Sequence, residues 1–282
     1  MPPFVFHLIS VSGPKDSFLS AIRSLPKTQR PLYIGETQHW IHEPGLSVPA
    51  LAGESAAIKT WDYLLVSPQS SSKPLALEGI DASLVAGKWS IAAPVEQNWL
   101  DDFAANHATR HSATPPPLPA GWSAADPSDL LASVPPPDLT ASLGLTSRPL
   151  GQKVPVLLSD FIASFGTKHT GPVAMFNLLA YTPNGGREQY FQYVQAFSES
   201  TGVKYGGAPL FLGRNVETWS SKGEKGSDHW VDCALVWYPS IWHFGKMLDD
   251  PGYADVDRRF KQGAIRDNPL ICTTDVDLRY GD

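Results

Sequence analysis

The chain has 282 residues, 42% of them hydrophobic and 18% charged, with 9 Trp, 9 Tyr and 12 Phe, a balance that excludes a disordered chain and suffices for one large or two small cores. Its formal charge is -6 and no Lys or Arg run exceeds a pair, so the electrostatic footprint of a nucleic-acid binder is missing. The opening Met-Pro-Pro-Phe-Val-Phe-His lacks a signal peptide's basic region, no stretch approaches the roughly 18 apolar residues of a membrane span, and Cys233 and Cys272 form neither a disulfide framework nor a CxxC pair, all of which fits a reducing, cytoplasmic setting.

In chain order, Phe6-His7-Leu8-Ile9 lies in an apolar run of strand length, Ser17 to Leu25 has helical spacing, Pro31-Leu32-Tyr33-Ile34-Gly35 reads as a second strand and Asp62-Tyr63-Leu64-Leu65-Val66 as a third. Gln69 to Lys73 is a polar loop, and Trp89 to Pro94 completes the set as a fourth strand; a second helix cannot be placed in this half. Residues 111–153 carry Pro115-Pro116-Pro117, Pro119 and Pro135-Pro136-Pro137, a composition that favours extended geometry. This stretch reads as a connector between residues 1–110 and 154–282, with Trp122, Leu130, Leu131 and Leu143 expected to hold it along the surface.

The second unit repeats the first. Phe176-Asn177-Leu178-Leu179 matches Phe6 to Ile9, Pro209-Leu210-Phe211-Leu212-Gly213 matches Pro31 to Gly35, and Asp232-Cys233-Ala234-Leu235-Val236 matches Asp62 to Val66, at offsets of 170, 178 and 170 residues. Between the first two strands, Arg187 to Ser200 places Tyr190, Tyr193, Val194 and Phe197 on one helical face. A helix from Ser240 through Met247, a break at Asp250-Pro251-Gly252, more helix to about Arg266 and a strand from Ile271 to Val276 follow. The order strand, helix, strand, strand, helix, strand is α+β and ferredoxin-like, and two such halves can pack sheet to sheet as an intramolecular dimeric α/β barrel. A monomer is then the expectation, with dimerisation through the helices or the Pro-rich arm left open.

The second half resembles the dimeric α/β-barrel superfamily, in particular small EthD-related domains of unknown function. The resemblance rests on Met175-Phe176-Asn177-Leu178-Leu179, Tyr205-Gly206-Gly207 before Leu212-Gly213, Leu235-Val236-Trp237-Tyr238-Pro239-Ser240, and Asp250-Pro251-Gly252-Tyr253 with Arg258-Arg259. It covers Gly171 to Val276, and the first half matches it weakly, without a Pro-Gly-Tyr segment. It implies a fold and a cavity but leaves the chemistry open, because the superfamily includes cofactor-free monooxygenases, decarboxylases, cyclases, isomerases and haem-dependent enzymes.

Side chains alternate along a strand, so if Phe6 and Leu8 face the helices, His7 faces the barrel interior with Asn177 in the matching place. His7 could act as a general base and Asn177 could hold an enolate, or both could be structural. Asp62 and Asp232 stand at or near the start of the third strands, where Asp62 could pair with His7, or each could cap a turn or pair with a nearby arginine. His39-Trp40-Ile41-His42 followed by Glu43 suggests a metal set, yet this spacing does not aim both rings at one point, and rim histidines fit better. Arg214 could clamp a carboxylate or pair with Glu36, and Tyr33, Trp61, Tyr205, Trp237 and Tyr253 are ring candidates for a cavity wall or for the core. No GxSxG, GxGxxG or GxxxxGK[ST] occurs, and Cys233 and Cys272 would be separated by an intervening strand.

The leading expectation is a cofactor-independent isomerase, cyclase or decarboxylase that moves protons on a small aromatic or polyketide-like metabolite, with no metal, nucleic-acid or membrane partner. The alternatives are a non-catalytic small-molecule binder and a haem or metal enzyme using His39, His42 or His243.

Overall fold

In the computed structural model, residues 3–46, 60–68, 77, 79–110, 146–150, 156–219 and 229–276 are described. The polar loop at Gln69 to Lys73 and the connector from 111 to 145 lie outside them. The first run of strands is β1 (Pro3–Val11), β2 (Tyr33–His42), β3 (Tyr63–Pro68) and β4 (Val85–Pro94), with helix α1 (Lys15–Arg23) between β1 and β2 and α2 (Gln97–Arg110) after β4. Short strands β5 (Thr146–Pro149) and β6 (Val156–Leu157) lead to α3 (Leu158–Gly166). The second run contains β7 (Val173–Tyr181), α4 (Gly186–Glu199), α5 (Thr201–Lys204), β8 (Ala208–Arg214), β9 (Glu217–Trp219) and β10 (Asp232–Tyr238). It ends with α6 (Ile241–Leu248), α7 (Pro251–Val256), a π-helical turn at Asp257–Lys261, β11 (Ile265–Asp267) and β12 (Leu270–Asp275).

One antiparallel sheet runs in the order β8-β10-β7-β12-β2-β3-β1-β4-β9. The order β4-β1-β3-β2 therefore recurs as β12-β7-β10-β8, and the two sets join where β12 pairs with β2. The path is open. At its ends β9 pairs with β4 over three residues, and a lone bridge links Val95 to Gly213. Gly213 is needed there: a Cβ on it would sit 2.7 Å from both the Ala93 Cβ and the Cys233 Sγ. Among the described residues no helix is long and apolar enough to cross a membrane.

The repeat is offset by one residue from the sequence alignment. Ile9 opposes Tyr63, while its counterpart Leu179 opposes Asp232; likewise Glu36 opposes Tyr63 and Arg214 opposes Asp232. Asp232 thus holds the place of Tyr63, and Asp62 falls one position earlier. Alternation along a strand then sends the two acids to opposite faces.

Facing directions on β1 are the reverse of those expected. Phe4, Phe6 and Leu8 enter the cluster shared by both strand sets, where Phe6 stacks on Phe176 at 5.6 Å, and Leu64, Trp237 and Ile271 pack around them. Ile9 instead joins Phe18, Ile22, Ile34, Tyr63 and Leu65 beneath α1. Large rings fill the shared interior, and rings gain more from mutual packing than a lone imidazole would. Phe18 stacks on Tyr63 at 5.5 Å, which closes the space between α1 and its sheet.

The helix ends follow ordinary chemistry. Asp16 and Arg23 complement the dipole of α1. Ser240 caps α6 by accepting from the His243 N–H, and Asp250 caps α7 by accepting from the Gly252 N–H at 2.7 Å, with Pro251 in the first turn. No α-helix is described between β3 and β4, where a 3-10 turn spans Ala82–Leu84. The connector's last residues add β5 to the edge of β2, pairing His39 with Pro149.

Truncating Phe176 to alanine should open the centre of the shared core and lower unfolding free energy by about 3–5 kcal/mol. Urea denaturation of Phe176→Ala checks it; a loss below about 1 kcal/mol would mean that the interior is not the main packing unit.

Candidate functional site

A cavity of about 580 Å³ lies between the second strand set and the helices above it. This is in the range of small-molecule sites. Its floor includes one continuous cross-sheet row: His42 on β2 opposes Leu270 on β12, Leu270 opposes Asn177 on β7, Asn177 opposes Ala234 on β10, and Ala234 opposes Leu212 on β8. Tyr190, Tyr193 and Phe197 of α4, Phe244 and Met247 of α6 and Tyr253 of α7 contribute to the wall opposite. The helical stripe read from the sequence thus faces the sheet. It covers a space rather than closing it.

At one end of the cavity ionisable side chains from distant parts of the chain come together, with Arg266 and Asp267 of β11 also on the lining. His42 arrives from β2, and Asp257 and Lys261 from the π-helical turn, a geometry found disproportionately at functional sites. The His42 Nδ1 is buried and makes no hydrogen bond. Burial first, and then the charge of Lys261, lower the basicity of this imidazole, while the Asp267 carboxylate, a backbone hydrogen bond at Asn268 and the Glu43 carboxylate oppose them. The Lys261 Nζ lies 4.0 Å from the Asp257 Oδ1 and 5.5 Å from the Tyr193 ring centre. Desolvation lowers its pKa against the opposing pull of Asp257. The Asp257 Oδ1 is buried without a hydrogen bond, and Oδ2 accepts from the Gln262 amide at 3.3 Å. Burial raises the pKa of Tyr190, Tyr193 and Tyr253, so these phenols stay protonated.

A second polar group on the wall is closed on itself. Asp232, 4% exposed, accepts from the Tyr181 hydroxyl at 2.9 Å, from Arg187 Nε and Nη2 at 2.9 and 2.7 Å, and from the Asn215 backbone N–H at 3.0 Å. Phe191, also on the wall, lies between Arg187 and Arg214, with guanidinium carbons 5.5 and 5.3 Å from its ring centre.

Of the residues singled out from sequence as site candidates, His42, Asn177, Asp232, Arg214 and Tyr253 line this cavity. The Asn177 amide donates to Met175 O and its Oδ1 accepts from Asn268. Arg214 approaches Glu96 at 3.8 Å rather than Glu36, which pairs with Lys15 at 2.7 Å. His7 lies elsewhere, fully buried, with Nδ1 2.8 Å from the Ser90 hydroxyl, and burial followed by the charge of Lys88 pulls it down to about 3. Asp62 does not meet it: its Oδ2 accepts from the Val11 N–H at 2.9 Å and its Oδ1 lies 3.4 Å from Lys15. Tyr33, Trp61 and Trp237 belong to the shared interior, with the Tyr33 hydroxyl 2.8 Å from Thr273 Oγ1. Tyr205 donates to Asp250 at 2.6 Å and braces α7.

His39 and His42 diverge. His39 stacks on Phe161 at 3.8 Å and bonds Ser147 Oγ at 2.7 Å, while burial brings it down to about 4. His243 pairs with Ser240 at 2.8 Å. Among the described residues no cluster of three or more His, Cys, Asp or Glu is arranged to hold a metal ion, and Cys233 and Cys272 are buried free thiols. Sequence reasoning missed Lys261 and Asp257. Their only signal was the charge density near Arg258-Arg259, which resembles an exposed helix face.

No family model and no curated protein matches the chain. Among solved structures, it is similar to the RPA0582 protein of unknown function from Rhodopseudomonas palustris, at 27% identity over 40% of this chain and 89% of that one, with a TM-score of 0.33. The methylated RPA0582 structure aligns at 26% identity over 36% and 78%, with a TM-score of 0.31. An uncharacterised NIPSNAP-like domain protein from Burkholderia xenovorans aligns at 14% identity over 39% and 89%, with a TM-score of 0.26. These are small domains whose function is not described, and none carries an EthD-type description.

Arg187→Met should leave Asp232 buried without its ion pair and cost about 3–5 kcal/mol in urea unfolding; a cost near zero would show the pair to be dispensable. His7, buried neutral at about 3 against an ordinary value of 6.5, contributes stability that is fully present above pH 6.5 and is lost as pH falls toward 3. Two units below 6.5, at pH 4.5, that loss is roughly 2–3 kcal/mol. His7→Asn should therefore shrink the difference in urea midpoint between pH 7 and pH 4.5, and an unchanged difference would exclude His7 as a source of acid sensitivity.

Proposed function

We propose that the protein binds a small, largely apolar, ring-bearing molecule in the cavity beneath α4, α6 and α7 and moves a proton on it without a cofactor, with His42 as the base. The observation that carries this reading is the unpaired, buried Nδ1 of His42 at the charged end of a tyrosine-walled space. A neutral imidazole with an unengaged lone pair is the state a general base requires, and its lowered pKa keeps it in that state at neutral pH. Asn177, in the same cross-sheet row and separated from His42 by Leu270, offers an amide near the developing negative charge. The recurring strand order supports a description as two ferredoxin-like halves closing an intramolecular barrel, and the resemblance of Gly171 to Val276 to EthD-related domains points the same way. In this reading the ligand lies outside the barrel, over the second half's sheet, because rings fill the interior.

Calorimetric titration with a panel of aryl carboxylic acids and aryl ketones tests the binding. Ligand heat present in the wild type and abolished by Ala234→Trp, which fills the floor, is the expected result; binding unaffected by that change would place the site elsewhere. Deuterium incorporation into phenylacetone in heavy water tests the chemistry. His42→Ala should slow it by roughly a hundredfold with binding retained, and an unchanged rate would reduce the protein to a binding role.

A further inference from the structure

We propose that Lys261 is an amine nucleophile that captures the carbonyl group of an aldehyde or ketone bound in the cavity as an imine; this rests on the cavity being the ligand site. Lys261 comes from the π-helical turn, its side chain is 19% exposed, and it lines a space walled by tyrosine and aliphatic side chains. A lysine among apolar groups is a free amine more often than one in water, and free amine is the reactive form. Desolvation lowers its pKa here. Its companion is as informative as its setting. Asp257, 1% exposed, keeps one buried oxygen without a hydrogen bond at 4.0 Å from Nζ, beyond hydrogen-bond reach. A carboxylate placed so beside an amine is a proton acceptor with no competing donor. By comparison, Lys204 closes on Asp250 at 2.6 Å.

The Nζ lone pair forms the C–N bond, the carbonyl π pair moves to oxygen, and the proton released from nitrogen passes by way of Asp257 to that oxygen. A second proton, taken up from solvent, goes to the carbinolamine hydroxyl, which leaves as water when the nitrogen pair forms C=N; the nitrogen keeps its remaining hydrogen, so the imine is formed protonated. The protonated imine draws electrons from the adjacent carbon, so the C–H that His42 is positioned to take becomes more acidic. The substrate class is narrowed accordingly: an aryl-bearing aldehyde or ketone with a hydrogen on the neighbouring carbon.

The test is reductive trapping of the full-length protein with naphthaldehyde and cyanoborohydride, followed by peptide mass mapping. Lys261 should acquire the naphthylmethyl group severalfold faster than the exposed Lys27 or Lys204 of the same molecules, because the free amine is the form that attacks the aldehyde. K261R, which keeps the charge, should lose that rapid label while leaving the slow ones. Labelling of Lys261 no faster than Lys27 would overturn the proposal. Naphthalenemethanol, which has the ring but no carbonyl, separates the two readings in calorimetry: if it binds and Lys261 is not trapped, the imine alone is excluded; if it does not bind and Lys261 is not trapped, the imine and the cavity as a ring-binding site fall together.

Discussion

The ring-on-ring contact of Phe6 with Phe176 is the constraint on which the rest of the molecule depends. Each residue sits on the central strand of its own set, with β3 and β4 flanking the first and β10 and β12 flanking the second. Their meeting fixes which face of each sheet turns inward, and strand alternation then dictates the destination of every other side chain. His7 is turned out of the interior by its neighbour Phe6, and Asn177 is turned toward the cavity by Phe176. The location of the candidate site is thus a by-product of core packing.

The two sets solve the same problem differently on their outer faces. Over the first, α1 lies close and Phe18 and Tyr63 fill the gap. Over the second, Asp232 stands where Tyr63 would, and it recruits Arg187 and Tyr181 into a network at the start of β10. The network is fully hydrogen-bonded, which is the condition under which a buried charge is tolerated. A longer helix layer, α4 to α7, spans the remainder and leaves a space walled by tyrosine and aliphatic side chains. The capping of α7 by Asp250, braced by Tyr205 and Lys204, sets where the π-helical turn begins and hence where Asp257 and Lys261 stand.

Much of the architecture was legible in the sequence because it rests on local patterns. The apolar run around Phe6, the helical stripe of Tyr190, Tyr193, Val194 and Phe197, and the Asp-Pro-Gly break at α7 each encode their element within a short window. The helices α2 and α3 were not anticipated, nor was the one-residue offset of Asp232, since identical residues invite an alignment that hydrogen-bond register does not respect. Facing direction was misjudged for a related reason: an apolar strand buried on both sides has no polar face to orient it. Of the site, Asn177, Arg214, Asp232 and Tyr253 were legible as residue types. His42 and Lys261 meet only because β12 pairs with β2 across more than two hundred residues, a separation no local motif spans.

That pairing has a further meaning. It makes the second set's cavity composite, since the imidazole at its charged end belongs to a strand of the first set. In an assembly of two identical chains every substitution is made twice, so a change that improves one cavity must be tolerated at the symmetric position. When both sets lie on one chain that symmetry is released. One sheet can be packed solid and lend a single side chain, while the other keeps open space, a division of labour that a symmetric pair cannot adopt.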